Sequence, residues 1–455
     1  VCSTWHFLEK FNSVLNLKMN AELFHSAPIK LANNKNKIAV IGGGISSACL
    51  IFQLFQQNPN LEITLYCCDD ELGSRGSGNQ QGAIYPLLQG GQFSVLAELY
   101  SECYTYAVNF YKQADQTGIN FTHQWCGVLQ QAFSPELVER LKQIAYEWPL
   151  LGQYISSEKS SEIANLSLPY ASLFFKDGGW LAPKQFCQNS IIHLVEHFNL
   201  TVFTNTHITK LHQTSQQKWQ LENNQQTLTD IFDQVVICTG HLSSQYEQTK
   251  QYNIIPIRGQ VSHLNHSTKV APLSTVLCHN GYMTPATEAL QCFGATFDRG
   301  VDDEVSTAKD NIRNLQQLQD VYLEQDWATQ LTENDITGEN AAIRATSQDH
   351  HPIVGEVMSD HWVDSNVDQN NGLLKRLDKL KLETYPNSDH YGLYIMTGLG
   401  ARGLTTAPLM AKHLTAIMLN TESPLSPRLI KSVSPMRFQV RELKRNKSIK
   451  NKVKP

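Results

Sequence analysis

The residues in this chain whose types and spacing suit chemistry on a ligand are glycines. Gly42, Gly43 and Gly44 stand in a row between an apolar run, Lys37 to Ile41, and a stretch from Ile45 to Gln57 with one apolar face and no proline. Strand, glycine turn and helix in this order form a phosphate cradle. Gly42 permits the turn and Gly44 lets a pyrophosphate approach the backbone. Unpaired N–H groups at the helix start, at Ile45 and Ser46, receive the negative charge. The third glycine of G-x-G-x-x-G is replaced by Ser47, which is small enough for close helix–sheet packing. A second glycine turn, Gly398 to Gly403, follows a strand-like stretch from Tyr391 and precedes a helical one from Leu404, aiming a second helix dipole at the same point.

Other positions test the dinucleotide reading. An acid is expected about 20 residues beyond the glycines, at the end of the second strand, to hold a ribose hydroxyl. Cys67 stands there, with Asp69 and Asp70 following. Either the loop shifts and Asp69 does the work, or the ribose is held otherwise. The segment Ser74 to Leu88 is rich in Gly, Ser, Asn and Gln before it turns apolar, and such a segment can wrap a cofactor closely. The ten cysteines show no C-x-x-C pair, and Cys67 and Cys68 are adjacent, so buried thiols are expected and no metal site.

These residues need elements to position them. Strands are expected at Lys37–Ile41, Glu62–Tyr66, Leu200–Phe203 and Ile208–Leu211, with a meander through Lys218–Leu221 and Gln226–Phe232. Asp233 to Gly240 reads as a buried strand ending in a small-residue turn. Helices are expected from Phe93 to Gln116, from a Ser134 cap with Pro135 at its first position, from Pro183 to about His197, and from Ser306 to Trp327. Pro408 falls inside the last helix, which is expected to start late or bend. Ile254–Leu264 and Val276–Phe297 read as strands of a separate antiparallel sheet. The fold class is therefore α/β, a Rossmann-type dinucleotide-binding domain with a second α+β domain built on an antiparallel sheet.

A chain of 455 residues is long enough for two or three domains. No run of about 18 apolar residues is present, so no transmembrane helix is expected. The first 36 residues lack a continuous apolar core for a secretory signal, because Glu9 and Lys10 interrupt it. A cytoplasmic protein is expected. The first residue is Val1, which suggests a fragment, a processed product or another start such as Met19. The net charge is −5, yet Arg428 to Pro455 holds ten Lys or Arg against one Glu, so an acidic body ends in a basic tail. Such a tail suits RNA, a membrane surface or a solvated terminus.

Taken together, the segments from about Lys37 to Lys444 resemble the D-amino-acid oxidase/glycine oxidase superfamily of FAD enzymes. More closely, they are similar to the FAD-dependent C-terminal half of the MnmC family, bifunctional enzymes of tRNA 5-methylaminomethyl-2-thiouridine biosynthesis. The most specific piece is Ser77-Gly78-Asn79-Gln80-Gln81-Gly82-Ala83-Ile84-Tyr85-Pro86. The stretches GYMTPA, GATFD and GLGARGLTTAP, and the Pro/Arg pattern of PLSPRLIKSVSPMRFQVREL, point the same way. The resemblance implies a glycine oxidase-like FAD-binding domain at 37–84, 171–256 and 338–420, and a substrate domain at 85–170 and 257–337. Residues 1–36 form an N-terminal extension and 421–455 the basic tail.

The implied cofactor is noncovalent FAD, since no cysteine follows Cys292 to attach it. Its implied contacts are Gly42, Gly44, Ile45, Ser46, Asp69, Ser77, Asn79, Gln80, Gln81, Gly82, Gly240, Gly398, Gly400, Arg402, Gly403 and Leu404. Arg344, ahead of Thr346, Asp349 and Pro352, takes the role of the family arginine that pairs with the substrate carboxylate, and Tyr282 borders the substrate. The implied reaction removes the carboxymethyl group of 5-carboxymethylaminomethyl-(2-thio)uridine at the tRNA wobble position. It leaves an aminomethyl base and glyoxylate, with O2 as electron acceptor. No general base is evident. The family's methyltransferase half is absent from this chain and would be a lost or separate partner. Arg437, Arg441, Lys444 and Arg445, at near-helical spacing, then become candidates for tRNA phosphates, and Arg258 and Arg402 are either structural or RNA-facing. The competing readings are a small-molecule oxidase of the glycine or sarcosine type, and a non-catalytic flavin- or RNA-binding remnant.

Overall fold

The computed structural model describes residues 36–88, 94–265, 268–288, 290–358 and 390–442. Two large sheets dominate it. The first has six strands in the order 353–356, 393–397, 234–237, 37–41, 62–66 and 200–203. Lys37–Ile41 lies at its centre, parallel to Glu62–Tyr66 on one side and to Gln234–Ile237 on the other. The central strand is apolar apart from Lys37 and buried from Ile38 to Ile41, as a strand covered on two faces requires. Helices Ile45–Gln57, Val95–Gln116, Pro183–His197 and Gly403–Met418 share one apolar cluster with these strands, through residues such as Phe52, Phe110, Phe186 and Met410. A three-stranded meander, 208–213, 219–223 and 227–232, shares a second cluster with the sheet through Trp219 and Phe232. The indole of Trp219 donates to the carbonyl of Tyr391 at 2.9 Å and ties the meander to the sheet.

The second sheet has nine strands and is antiparallel except where 128–131 meets 276–278. Its spine is a long pair, Ile254–Leu264 against Ile336–Ser347. Residues 338–347, expected in the dinucleotide-binding domain, belong by their pairing to this sheet. So does Ser172–Phe175, which pairs with Val128–Gln131 and Gln153–Ile155. A small fourth sheet joins 82–84, 179–181 and 123–124.

Several elements differ in extent from expectation. The helix expected over Ser306–Trp327 is Ala308–Val321, capped by Thr307, followed by a separate turn Asp326–Thr329. Val276–Phe297 is three short strands, 276–278, 282–283 and 291–294. The Val95–Gln116 helix starts at a Ser94 cap, and Phe93 lies outside the described residues. Pro408 does not delay its helix, which runs unbroken over Gly403–Met418. Proline lacks the N–H that would bond the carbonyl four residues back. That carbonyl belongs to Leu404, and it accepts from the Tyr111 hydroxyl at 3.0 Å instead.

Of the basic tail, residues 421–442 are described, and Lys444 and Arg445 lie outside. Arg437 is 6% exposed and does not face solvent as an RNA contact would. Its guanidinium meets Asp349 at 3.0 Å through both Nε and Nη2, and it donates to the His351 carbonyl. Arg441 reaches the same carboxylate at 2.6 Å. Burial works to raise the Asp349 carboxyl, but Arg437, Ser347 and Arg441 outweigh it and hold the group below the ordinary carboxylate range. The contribution of this pair is therefore complete above the unfolded value of about 4 and is lost as the pH falls below it. Asp349→Asn is expected to lower stability by about 3 kcal/mol at neutral pH, because it leaves a buried guanidinium unpaired. Urea titrations at a series of pH values should show that gap closing toward pH 2. A gap constant with pH would rule the pair out as its source.

Candidate functional site

A cavity of about 470 Å³ opens where the two large sheets meet. Its walls come from chain segments far apart in sequence, around Gly42, Asp69, His207, Gly240, Tyr282, Thr296, Arg344 and Gly400. At its floor Gly42 has φ +115°, and a Cβ there would come 2.4 Å from the carbonyl oxygen of Cys238. Only glycine lets the first strand turn this close to its neighbour. Gly44, Ile45 and Ser46 line the cavity, and the helix they open has neither a side-chain cap nor a first-turn acid. Ser77 supplies a hydroxyl that accepts from the Ile45 N–H at 3.0 Å. Ser47 donates back to the Gly42 carbonyl, fixing the turn that a third glycine would otherwise shape. The second helix, Gly403–Met418, also lacks a cap and a first-turn acid, and Gly398, Gly400, Arg402, Gly403 and Leu404 line the cavity beside it. Two helix N-termini without N-cap side chains meet at one cavity and suit an anionic ligand, although the Ile45 N–H, expected to be unpaired, is already held by Ser77.

Cys67 does not take the place of the ribose-binding acid. It is 1% exposed and packs beneath the glycine turn, where a Cβ on Gly43 would meet its sulfur at 2.5 Å. The cavity wall resumes with Cys68 and Asp69. The Asp69 carboxylate is held by Arg75, whose Nε and Nη2 lie 2.9 Å from its oxygens. Asn79 and Gly82 line the cavity, and the Asn79 side chain accepts from Asn340 at 2.9 Å. Gln80 and Gln81 do not line it. Gln80 is exposed. Gln81 is buried and turned into the second sheet, donating to the Pro285 carbonyl at 3.0 Å and accepting from Thr284 and Cys292. Its amide fastens the polar loop to the other sheet, a tertiary role that no local pattern displays. Gly240 lines the wall at φ +58°.

On the opposite wall stands Arg344. Its Nη1 donates to the Thr296 carbonyl at 3.2 Å, and its guanidinium carbon lies 5.9 Å from the centre of the Phe297 ring. Burial pushes its pKa down, offset in part by Tyr282 and Asp298. Asp298 is itself paired with Arg313 at 2.9 Å, and among the described residues no carboxylate forms a salt bridge with Arg344. Room for the guanidinium is left by Gly259, where a Cβ would come 1.9 Å from Nη1. Tyr282 lines the cavity and donates to the Gln81 carbonyl at 3.2 Å; burial raises its pKa. Arg402 lies over the Tyr85 ring at 4.1 Å and donates to the Tyr85 carbonyl at 3.3 Å. Burial pushes the Tyr85 hydroxyl up to about 12.

The sign of the cavity follows. Arg75, Arg344 and Arg402 line it against one carboxylate, Asp69, which Arg75 already holds. Burial pushes His279 down to about 3, and burial with Arg75 lowers His241, so both histidines are neutral at pH 7. Such a cavity suits anions, and among its lining residues there is no free carboxylate base. Arg258 is structural, buried and paired with Asp310 at 2.7 Å. His351 sits at the Asp349 network and not in the cavity. Among the described residues no group of three or more His, Cys, Asp or Glu could hold a metal ion, and no helix is long and apolar enough to cross a membrane. Gly259, Phe297 and Tyr85 went unremarked as site residues in the sequence. A glycine within a strand was the available signal for the first, since it often marks close approach of another group.

Residues 37–417 match the family model described as DAO, FAD dependent oxidoreductase. Among curated proteins, the chain is 37% identical over 417 residues to the tRNA 5-methylaminomethyl-2-thiouridine biosynthesis bifunctional protein MnmC of Pseudoalteromonas translucida, covering 90% of this chain and 60% of that protein. It is 33% identical over 425 residues to the protein of that name from Vibrio cholerae, with 92% and 60% covered. The chain thus spans about three fifths of the length of these relatives. Among solved structures, glycine oxidase from Geobacillus kaustophilus superposes with a TM-score of 0.66 at 16% identity, covering 86% of this chain and 97% of that one. Iminodiacetate oxidase from Chelativorans sp. BNC1 gives 0.67 at 15%, with 88% and 98% covered. At these identities the structural likeness speaks for the fold.

Proposed function

Since the chain belongs to the DAO family of FAD-dependent oxidoreductases, we propose that it oxidises the carboxymethylamino side chain of a modified uridine in tRNA. The products are an aminomethyl base and glyoxylate, with O2 as the final electron acceptor. The observation that carries this reading is Arg344, a half-buried guanidinium facing the cavity with no carboxylate partner among the described residues. The choice of tRNA rests on the names of the curated relatives, of which this chain spans only part.

The residues present fit FAD. Gly42 allows close approach, the two helix N-termini would hold the pyrophosphate and the ring edge, and Asp69 would hold a ribose hydroxyl. FAD, noncovalently bound, supplies the acceptor for a hydride. Arg344 pairs with the substrate carboxylate in bidentate fashion and so orients the adjacent CH2 group. Tyr282 walls the substrate side with a neutral phenol, whose pKa burial raises further. Arg402 and the amides at Gly400 to Leu404 hold positive potential where negative charge develops. The C–H bond of that CH2 breaks as hydride leaves, the nitrogen lone pair forms C=N, and the amine proton is lost to solvent. Water then adds to the C=N carbon and the C–N bond breaks, releasing glyoxylate. A neutral amine suffices for this sequence, in keeping with a cavity lacking a free carboxylate.

The test is anaerobic flavin reduction in the purified holoprotein. We expect tRNA carrying 5-carboxymethylaminomethyluridine to bleach the flavin band much faster than free glycine does. Bleaching by glycine at an equal or higher rate would replace this reading with a small-molecule oxidase. A protein that retains no flavin when FAD is added would overturn both.

A further inference from the structure

Phe297 is 52% exposed, yet it lines the cavity, and the Arg344 guanidinium lies over its ring with its carbon 5.9 Å from the ring centre. Its backbone is fixed on both sides. Thr296 is fully buried, its N–H donating to the Gln260 carbonyl at 3.1 Å and its hydroxyl accepting from the Gln260 N–H at 2.9 Å. Asp298 is clamped by two bonds from Arg313, at 2.9 and 3.0 Å. An apolar ring on so constrained a backbone is left half in water, where burial would have been favourable. A cavity made for a free amino acid gains nothing from an open aromatic rim. A flat heterocycle does, because stacking needs an accessible ring face held in place before the ligand arrives.

We propose that Phe297 is the stacking platform for the pyrimidine ring whose side-chain carboxylate lies on Arg344. The inference deepens the function proposed above and rests on it. The carboxylate and the base would then be read by two adjacent groups, the guanidinium and the ring, joined through Thr296. The substrate class so selected is a uracil-type base bearing a short N-substituted glycine arm.

The experiment measures the Kd of the nucleoside 5-carboxymethylaminomethyluridine from the concentration dependence of anaerobic flavin reduction, with N-methylglycine as a competing ligand. Phe297→Ala and Phe297→Leu should each raise the nucleoside Kd by about tenfold to a hundredfold, and Phe297→Tyr by no more than about threefold. The inhibition constant of N-methylglycine, which has the carboxylate but no base, should shift far less than the nucleoside Kd. A Leu variant that binds as well as Tyr would reduce Phe297 to an apolar cover and overturn the proposal. So would equal shifts for both ligands, which mean a displaced Arg344. If the unmodified holoprotein is reduced neither by this nucleoside nor by the tRNA, the function itself falls and this inference falls with it.

Discussion

Arg344→Met is expected to lower kcat/KM for carboxylate-bearing amines by about two to three orders of magnitude while the protein keeps its flavin. Truncating one partner of a buried, hydrogen-bonded charge pair costs roughly 2–5 kcal/mol, and each 1.36 kcal/mol is tenfold in rate. The native arginine is well placed for so large an effect. It is anchored through one nitrogen to the Thr296 carbonyl at 3.2 Å and no described carboxylate forms a salt bridge with it. Arg344→Lys should recover little of the loss, because an ammonium cannot present two parallel donors to a carboxylate. Stopped-flow reduction of the loaded enzyme separates this from a folding defect. A loss smaller than about fivefold, with flavin retained, would move the carboxylate site elsewhere.

Gly259→Ala should produce nearly the same enzyme without touching the arginine. Position 259 pairs with Ala342 in the long strand pair, and its backbone is not in the left-handed region, so alanine is conformationally acceptable there. The added Cβ would nonetheless stand 1.9 Å from Nη1 and 2.4 Å from the guanidinium carbon of Arg344. The side chain must leave its seat. We expect a fall in kcat/KM of about a hundredfold, in the same range as a lost charged contact, with the spectrum of bound flavin unchanged. The two substitutions act through one group, so their effects should not add. Placing Gly259→Ala in the Arg344→Met background should cost less than about threefold. A double variant showing the product of the two losses would mean that Gly259 acts by another route.

The strand, glycine turn and helix from Lys37 to Gln57 were readable in the sequence because their cause is local. An apolar run, three glycines and an uninterrupted apolar face need no distant partner to declare themselves. The partner of a strand is another matter. Ile336–Ser347 was not singled out as a strand, and its eleven-position register with Ile254–Leu264 is what assigns it to the second sheet. Arg437 and Arg441 do sit on a helical turn, as their spacing suggests, yet Asp349 captures both, 88 residues from Arg437 in sequence. Gln81 was expected at the cofactor and is instead spent on Pro285, Thr284 and Cys292. The segment was rightly seen as polar and glycine-rich. Which of its amides face inward is decided by tertiary contacts more than two hundred residues away. Cys67 illustrates the converse. Its departure from the expected acid is explained by the space under Gly43, where a small buried thiol fits.

The cavity draws its walls from many separated stretches of chain, several of them glycine turns. A ligand that binds only when these stretches are assembled is thermodynamically linked to folding. Each tenfold excess of free FAD over its dissociation constant adds about 1.4 kcal/mol to the stability of the folded state. For a chain of this design the melting temperature is a function of flavin supply, and scarcity of the cofactor costs folded molecules as well as turnovers.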